Sequence, residues 1–466
     1  MHMTRLVKRQ KGSEMTVLWK GEELAEATGA VTAPDIAITG ISIDTRTLQP
    51  GDLFIALEGA SHDGHDHVAE AFSKGAACCI VHRPVSASGP VINVPDSLKA
   101  LQALGLYARS RFTGKMIAIT GSVGKTTTKN MLHAALATQG RTHAADKSFN
   151  NHIGVPLTLA RLPRDVAWCI CEIGMNHAGE IAPLAQMVRP DVAIITSIGN
   201  SHIGHLGSLE AIVEEKSALF ASLRQTGTAI APDAVFGRDT LKRKLGASRA
   251  RFIGVGIAPS ADMRLLDLQM TAEGSSFTFS GRHVALNVPG RHLAEDAALV
   301  LAGVKSVGAD LDLAIAALAR YRPDAGRGMR LPILDDSVTL LDESYNASGL
   351  SMRAALATLA LMPAKRRIAV LGDMLEMGDH AQEAHLALLP DIVASADALY
   401  CCGAAMKDVF DYLPAGKKGA WCETADRLAP LLIKGLAAGD VVLVKGSFGS
   451  RMRDVVDALK KQGNQG

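Results

Sequence analysis

The sequence predicts an α/β protein of three domains, with a parallel sheet in the central domain and a second, Rossmann-like α/β domain at the C-terminus. At 466 residues the chain exceeds one ordinary domain, and its length suggests roughly three. Short apolar runs recur through the middle and end of the chain, each followed by a glycine-containing turn and then a stretch of helical character. That alternation is the pattern of parallel sheets. Between the two groups of runs lies Tyr321-Arg322-Pro323-Asp324-Ala325-Gly326-Arg327-Gly328, rich in proline, glycine and charge, which reads as a linker.

The elements follow in chain order. The basic start (Arg5, Lys8, Arg9, Lys11) is short and lacks the apolar run of a secretory signal, so residues 1–14 are expected to be an extension, native or added, ahead of a natural start at Met15. A first domain over 15–112 ends near Thr113-Gly114. The central domain, 113–321, has buried strands expected at 116–119, 166–171 and 192–196. The C-terminal domain, 322–466, has them at 367–371, 398–402 and 441–444. Apolar residues make up 48% and aromatics only 4%, so Ala, Val, Leu and Ile must fill the cores. The seven cysteines include no CxxC pair and mostly fall in apolar runs, as small buried hydrophobes do. A net charge of +2 with no basic, aromatic-interleaved stripe argues against a nucleic-acid partner. No apolar stretch reaches the roughly 18 residues of a membrane span, so a cytoplasmic protein without a membrane partner is expected.

The strongest chemical signal runs from Met116 to Thr128. A buried strand enters the loop Thr120-Gly121-Ser122-Val123-Gly124, and Lys125-Thr126-Thr127 open a helix that ends near Gly140. Glycines let backbone N–H groups approach phosphate oxygens, and the helix N-terminus favours negative charge. Lys125 supplies a point charge, and the Thr126 hydroxyl can ligate Mg²⁺. The strict pattern wants glycine five positions before Gly124, where this chain has Ile119; its glycine is Gly121. The central domain is therefore expected to be a P-loop domain that binds ATP.

This loop variant resembles that of the Mur ligases, three-domain ATP-dependent amide-forming enzymes of peptidoglycan synthesis. Ser42-Ile43-Asp44-Thr45-Arg46 and the following Pro50-Gly51-Asp52-Leu53-Phe54 resemble the family's uridine-nucleotide-binding first domain, which implies that Thr45 and Arg46 bind substrate. Asn150-Asn151-His152-Ile153-Gly154-Val155-Pro156 and Gly372-Asp373-Met374-Leu375-Glu376 resemble the branch that adds D-alanyl-D-alanine to UDP-N-acetylmuramoyl-tripeptide. The resemblance implies ATP and Mg²⁺ and those two substrates; a monomer is expected. Residue by residue, Glu172 resembles a Mg²⁺-binding glutamate and His202 a second-metal ligand. Lys216 aligns with a lysine that the family carbamylates. Arg327 resembles an arginine that reaches the ATP phosphates on domain closure. Asp342, Tyr345 and Asn346 resemble the C-terminal contribution to the closed site, with Asn150 and Asn151 in the substrate loop.

Two positions depart from the family pattern. Ser197 stands where Asn is usual, and the adenine loop reads His292-Leu293-Ala294-Glu295-Asp296. Asp296 is expected to accept from adenine but not to donate as Asn could. His62-Asp63-Gly64-His65-Asp66-His67 looks like a metal site by composition, but in the resemblance it falls in a substrate-binding loop. A sister Mur or folylpolyglutamate-type ligase is the nearest alternative. A non-catalytic nucleotide switch would need the P-loop and its metal ligands only, and would have no use for Lys216 or Arg327.

Overall fold

The computed structural model describes residues 17–31, 34–59, 62–246 and 248–462. The basic stretch and the expected start at Met15 lie outside them. The chain divides into two compact units, Met1–Gly114 with Phe149–Val166, and Lys115–Ser148 with Ala167–Gly466.

In the first unit four parallel strands lie in the order Gly40–Ser42, Asp52–Ile55, Cys78–Val81 and Val91–Asn93. The middle two are buried at every position and, apart from Asp52, read as continuous apolar runs, as strands covered on both faces do. The helix Ser97–Arg111 packs on the helix Gly154–Ala160, all seven residues of which are buried. Leu157 and Ala160 share an apolar cluster with Leu101 and Leu104, and Trp19 Nε1 donates to the Ala160 carbonyl at 2.9 Å. The segment 149–166 is therefore held by first-unit apolar surface, although it lies between two central strands in the chain.

The second unit contains two sheets. In the central one, six parallel strands run in the order Thr142–Ala144, Trp168–Glu172, Lys115–Thr120, Val192–Ile195, Thr228–Pro232 and Arg251–Gly256. Met263–Met270 joins in parallel through two residue pairs, then continues into an antiparallel ladder with Ser275–Phe279 and Arg282–Leu286. The sheet is thus parallel where the P-loop sits and mixed at its far edge. Helices Lys125–Ala137 and Arg291–Ser306 cover it. The second presents Ala294, Ala297, Ala298 and Ala302, so it approaches closely, and Leu132, Ile194 and Ile230 fill the seam. Fully burying each large aliphatic chain there contributes about 1.5–3 kcal/mol.

The C-terminal sheet runs Met329–Ile333, Val338–Glu343, Asp440–Lys445, Arg366–Gly372, Ala398–Cys402 and Lys418–Cys422, with only the first pair antiparallel. None of the seven cysteines forms a disulfide and six are buried as small hydrophobes; burial pushes the Cys78 thiol up to about 12, which makes that thiol inert. Among the described residues no helix is long and apolar enough to cross a membrane.

Candidate active site

Register places the site. Ile119 pairs with Glu172 on one side, and Thr120 pairs with Ile195 on the other, so Glu172 and the loop after Ile195 stand level with Gly121. Ligands of open α/β sheets bind at this carboxyl end of the strands. A Cβ at Gly121 would overlap Thr196 Oγ1, which is why glycine is needed there. Gly124 has φ 84° in the left-handed region and opens the helix Lys125–Ala137. The loop between them is braced from 196–199. Ser122 N donates to the Ser197 carbonyl at 3.0 Å, Ser122 Oγ donates to the Gly199 carbonyl at 3.0 Å, and Val123 N donates to Ser197 Oγ at 2.9 Å. Ser197 Oγ in turn donates to the Val123 carbonyl at 3.1 Å, so the serine that departs from the family pattern holds the loop backbone.

The oxygen and cation groups converge on this loop. Thr126 Oγ1 donates to Glu172 Oε2 at 2.9 Å and meets Ser148 Oγ at 3.0 Å; Arg327 Nη2 donates to the same Ser148 Oγ at 3.0 Å. Arg327 also lies over the Tyr345 ring, 3.8 Å from its centroid. The linker is tied to the loop's helix where Asn130 donates to Asp324. Ser148 was not singled out from sequence. The one signal was its place directly before the Phe149-Asn150-Asn151 loop, with buried Lys129 pinning that approach through the carbonyls of Ala145 (2.7 Å) and Lys147 (3.0 Å).

Lys125 Nζ donates to the Gly121 carbonyl at 2.6 Å. Burial holds its ammonium below the ordinary lysine range; Glu172 opposes that effect and Arg327 adds to it. Lys216, on the helix Leu209–Ala221, is 1% exposed. Burial, and then the charge of Lys125, lower its basicity far below that of a solvated lysine. His202 has left-handed backbone, φ 64°, and its Nδ1 lies 2.6 Å from Glu376 Oε2. Burial lowers its basicity, with Lys125 and Lys216 acting in the same direction. Among the described residues no three His, Cys, Asp or Glu side chains stand together as a metal site. Thr126 and Glu172 are nonetheless buried, hard oxygen donors in contact, which suits Mg²⁺ completed by phosphate oxygens.

The remaining residues fall in several places. Asp296 is buried, with its carboxyl against the P-loop; a Cβ at Gly124 would lie 2.8 Å from Oδ1. Burial raises its pKa well above the usual carboxylate range, with Glu295 adding to the effect. A raised pKa favours the neutral carboxyl, whose O–H could donate where the carboxylate only accepts. The raised pKa also predicts a stability profile. The folded state holds a proton that the unfolded state releases, so stability falls as pH rises from the ordinary aspartate range towards the raised folded value. Asp296→Asn should therefore have a higher Tm than the parent at pH 7, with the gap closing near pH 4 and ATP/GTP discrimination within several-fold of the parent's. Equal Tm differences at both pH values would contradict this.

Asp342 is fully buried and accepts from the Ser344 hydroxyl at 2.6 Å, so it braces the turn that carries Tyr345 and Asn346. The Asn346 carbonyl accepts from Lys445 Nζ at 2.9 Å. Thr45, Arg46, Asn150 and Asn151 belong to the first unit. There Arg46 pairs with Asp44 at 2.7 Å on the surface, and Asn151 Oδ1 accepts from Gly154 N at 2.9 Å, opening the helix Gly154–Ala160. The His-rich loop is internally satisfied. His65 Nδ1 meets Asp63 at 2.6 Å and Nε2 accepts from His82 N at 3.1 Å, leaving neither nitrogen for a metal.

Family models cover most of the chain: the Mur ligase family catalytic domain at 37–109, the Mur ligase middle domain at 119–304, and the Mur ligase glutamate ligase domain at 329–448. The chain belongs to the Mur ligase family. As a Mur ligase it is 31% identical to the UDP-N-acetylmuramoyl-tripeptide--D-alanyl-D-alanine ligase of Rickettsia prowazekii, over 95% of this chain and 99% of that one. It is 33% identical to the ligase of the same name from Escherichia coli, over 93% and 96%. Among solved structures, MurF from Acinetobacter baumannii superposes with a TM-score of 0.85 at 27% identity, covering 95% of this chain and 99% of that one. The three-domain α/β fold expected from sequence is thus that of this Mur ligase.

Proposed function

We propose that the protein joins the terminal carboxylate of UDP-N-acetylmuramoyl-tripeptide to the amine of D-alanyl-D-alanine, driven by ATP, in peptidoglycan precursor synthesis. One observation carries this reading. A P-loop lysine, the Thr126–Glu172 oxygen pair, the linker cation Arg327 and buried Lys216 gather at the carboxyl end of one parallel sheet, in a chain that matches ligases of that name over nearly their whole length.

A carboxylate has no leaving group, so it must be activated. The γ-phosphoryl group passes from ATP to the peptide carboxylate, giving ADP and an acyl phosphate. The dipeptide amine attacks the carbonyl carbon, loses a proton, and phosphate leaves with the electrons of the broken C–O bond. Both steps gather negative charge, which Lys125 and Arg327 stabilise by position. Gly121, Ser122, Val123, Gly124 and Thr127 would line the phosphate site at the loop and helix N-terminus, with the Ser122 and Val123 N–H groups held by Ser197 to shape the loop. Thr126 and Glu172 would hold one Mg²⁺; His202 and Lys216, as a carbamate, would hold another. Bound Mg²⁺ neutralises phosphate charge. Thr45 and Arg46 serve the uridine nucleotide, Asn150 and Asn151 the peptide, and Tyr345 and Asn346 the closed site, which must exclude water from the acyl phosphate. In this reading the protein is a cytoplasmic monomer with domains at 15–112, 113–321 and 322–466, and no nucleic-acid or membrane partner.

The test is phosphate release from ATP with UDP-N-acetylmuramoyl-tripeptide, offered D-alanyl-D-alanine or single amino acids in turn. Release should require the dipeptide. Equal turnover with a free amino acid would reassign the chain to a sister ligase.

A further inference from the structure

The loop after the strand Arg366–Gly372 carries a carboxylate from the C-terminal domain to the central one. Glu376 Oε2 lies 2.6 Å from His202 Nδ1, and the Glu376 carbonyl accepts from Gly204 N at 3.1 Å. Both residues hold left-handed backbone, φ 64° at each, which non-glycine residues keep only where their surroundings impose it. The surroundings here are well defined. Asp373 accepts from Met406 N at 2.8 Å, Met374 N donates to buried His385 Nε2 at 2.8 Å, and Leu375 N donates to Ser447 Oγ at 2.9 Å. A Cβ at Gly204 would come within 2.6 Å of Gly378 N, so the two loops meet backbone to backbone.

As an ion pair the contact contributes little stability. The Glu376 side chain is 48% exposed, and solvent screens it. Its consequence is orientation. His202 Nδ1 is buried and, among the described residues, has no aligned hydrogen-bond partner, while Glu376 Oε2 is the acceptor within reach. An N–H on Nδ1 is the form that can be donated to this carboxylate 2.6 Å away. The proton then stays on Nδ1 and the lone pair on Nε2. Metal-binding histidines generally give their other ring N–H to a carboxylate or carbonyl, which fixes both tautomer and ring direction.

We propose that Glu376 is a positioning residue of the ligase reaction: it holds His202 as the Nδ1–H tautomer and frees Nε2 for a divalent cation, so that this metal site is complete only where the two domains meet. The proposal rests on the reading of His202 as a metal ligand. It also gives the Gly372–Glu376 signature a physical role, since Asp373 and Met374 anchor the loop that delivers the carboxylate.

The test uses the full-length chain with Mn²⁺ as the probe and a non-hydrolysable ATP analogue. Mn²⁺ binding is read by electron paramagnetic resonance, and the His202 tautomer by ¹⁵N NMR of histidine-labelled protein. Glu376→Ala should weaken the His202-dependent Mn²⁺ site about 10-fold or more and mix the His202 tautomers. Glu376→Gln, which still presents an acceptor oxygen, should retain most of both. Glu376→Met, similar in size and without that oxygen, makes the same test if the alanine variant does not fold. His202→Ala separates the two claims. If it leaves Mn²⁺ binding unchanged, the metal reading of His202 fails and the proposal with it. If it weakens binding while Glu376→Ala and Glu376→Met match the parent in affinity and tautomer, the role of Glu376 alone is overturned.

Discussion

Lys216→Ala is expected to lose at least about 10²-fold in kcat, as removal of one catalytic electrostatic group typically does. The reason lies in where the amine sits. Lys216 is 1% exposed, and both burial and the charge of Lys125 disfavour its ammonium. A neutral amine can add CO₂, forming an N–C bond and releasing a proton, and the resulting carbamate offers the oxygens that Mg²⁺ prefers. The cost of keeping a cation there is removed by turning it into an anion. Formate or acetate should partly rescue the alanine variant by entering the vacated space. Lys216→Arg should lose as much activity and resist rescue, because its guanidinium fills the space and stays charged. Near-parental turnover of Lys216→Ala, together with full parental activity in CO₂-depleted buffer, would show that the lysine is structural only.

Arg327→Ala should lower kcat by about 10³-fold, within the range for an arginine that stabilises phosphoryl-transfer charge. Arg327 comes from the linker, yet it donates to Ser148 Oγ, which also touches Thr126, and its guanidinium stacks on Tyr345. Arg327→Lys should recover little, since an ammonium keeps the charge but loses both the fork and the stacking. Ser148→Ala should cost far less than Arg327→Ala, because it removes a neutral bridge and leaves the cation. These effects should fall on kcat rather than on the KM for UDP-N-acetylmuramoyl-tripeptide. A pure KM effect at Arg327 would place it in substrate binding instead.

The parts of this site that were legible in the sequence share a property: their signal is local. A strand, a glycine loop and Lys125-Thr126 are contiguous, and the apolar runs around 116–119, 192–196 and 441–444 fold as the expected strands. Glu172 was readable because it ends such a run. The antiparallel ladder of Met263–Met270, Ser275–Phe279 and Arg282–Leu286 leaves no continuous apolar run in the sequence, because its strands mix buried residues with half-buried and exposed ones. The packing of Gly154–Ala160 with the first unit was invisible, since chain order places it between central strands. Ser148, and the contact of Glu376 with His202, depend on residues brought together from distant positions in the chain. The raised pKa of Asp296 depends on burial, which the residue name alone does not carry.

One active site is expected to perform both activation and amide formation. Mass spectrometry of the UDP-linked product, with ADP and phosphate quantified in the same reaction, tests it most directly. UDP-N-acetylmuramoyl-tripeptide should gain one D-alanyl-D-alanine less one water, with one ADP and one phosphate formed per product. Phosphate release without the gain in mass, or the gain of a single amino acid in its place, would contradict it.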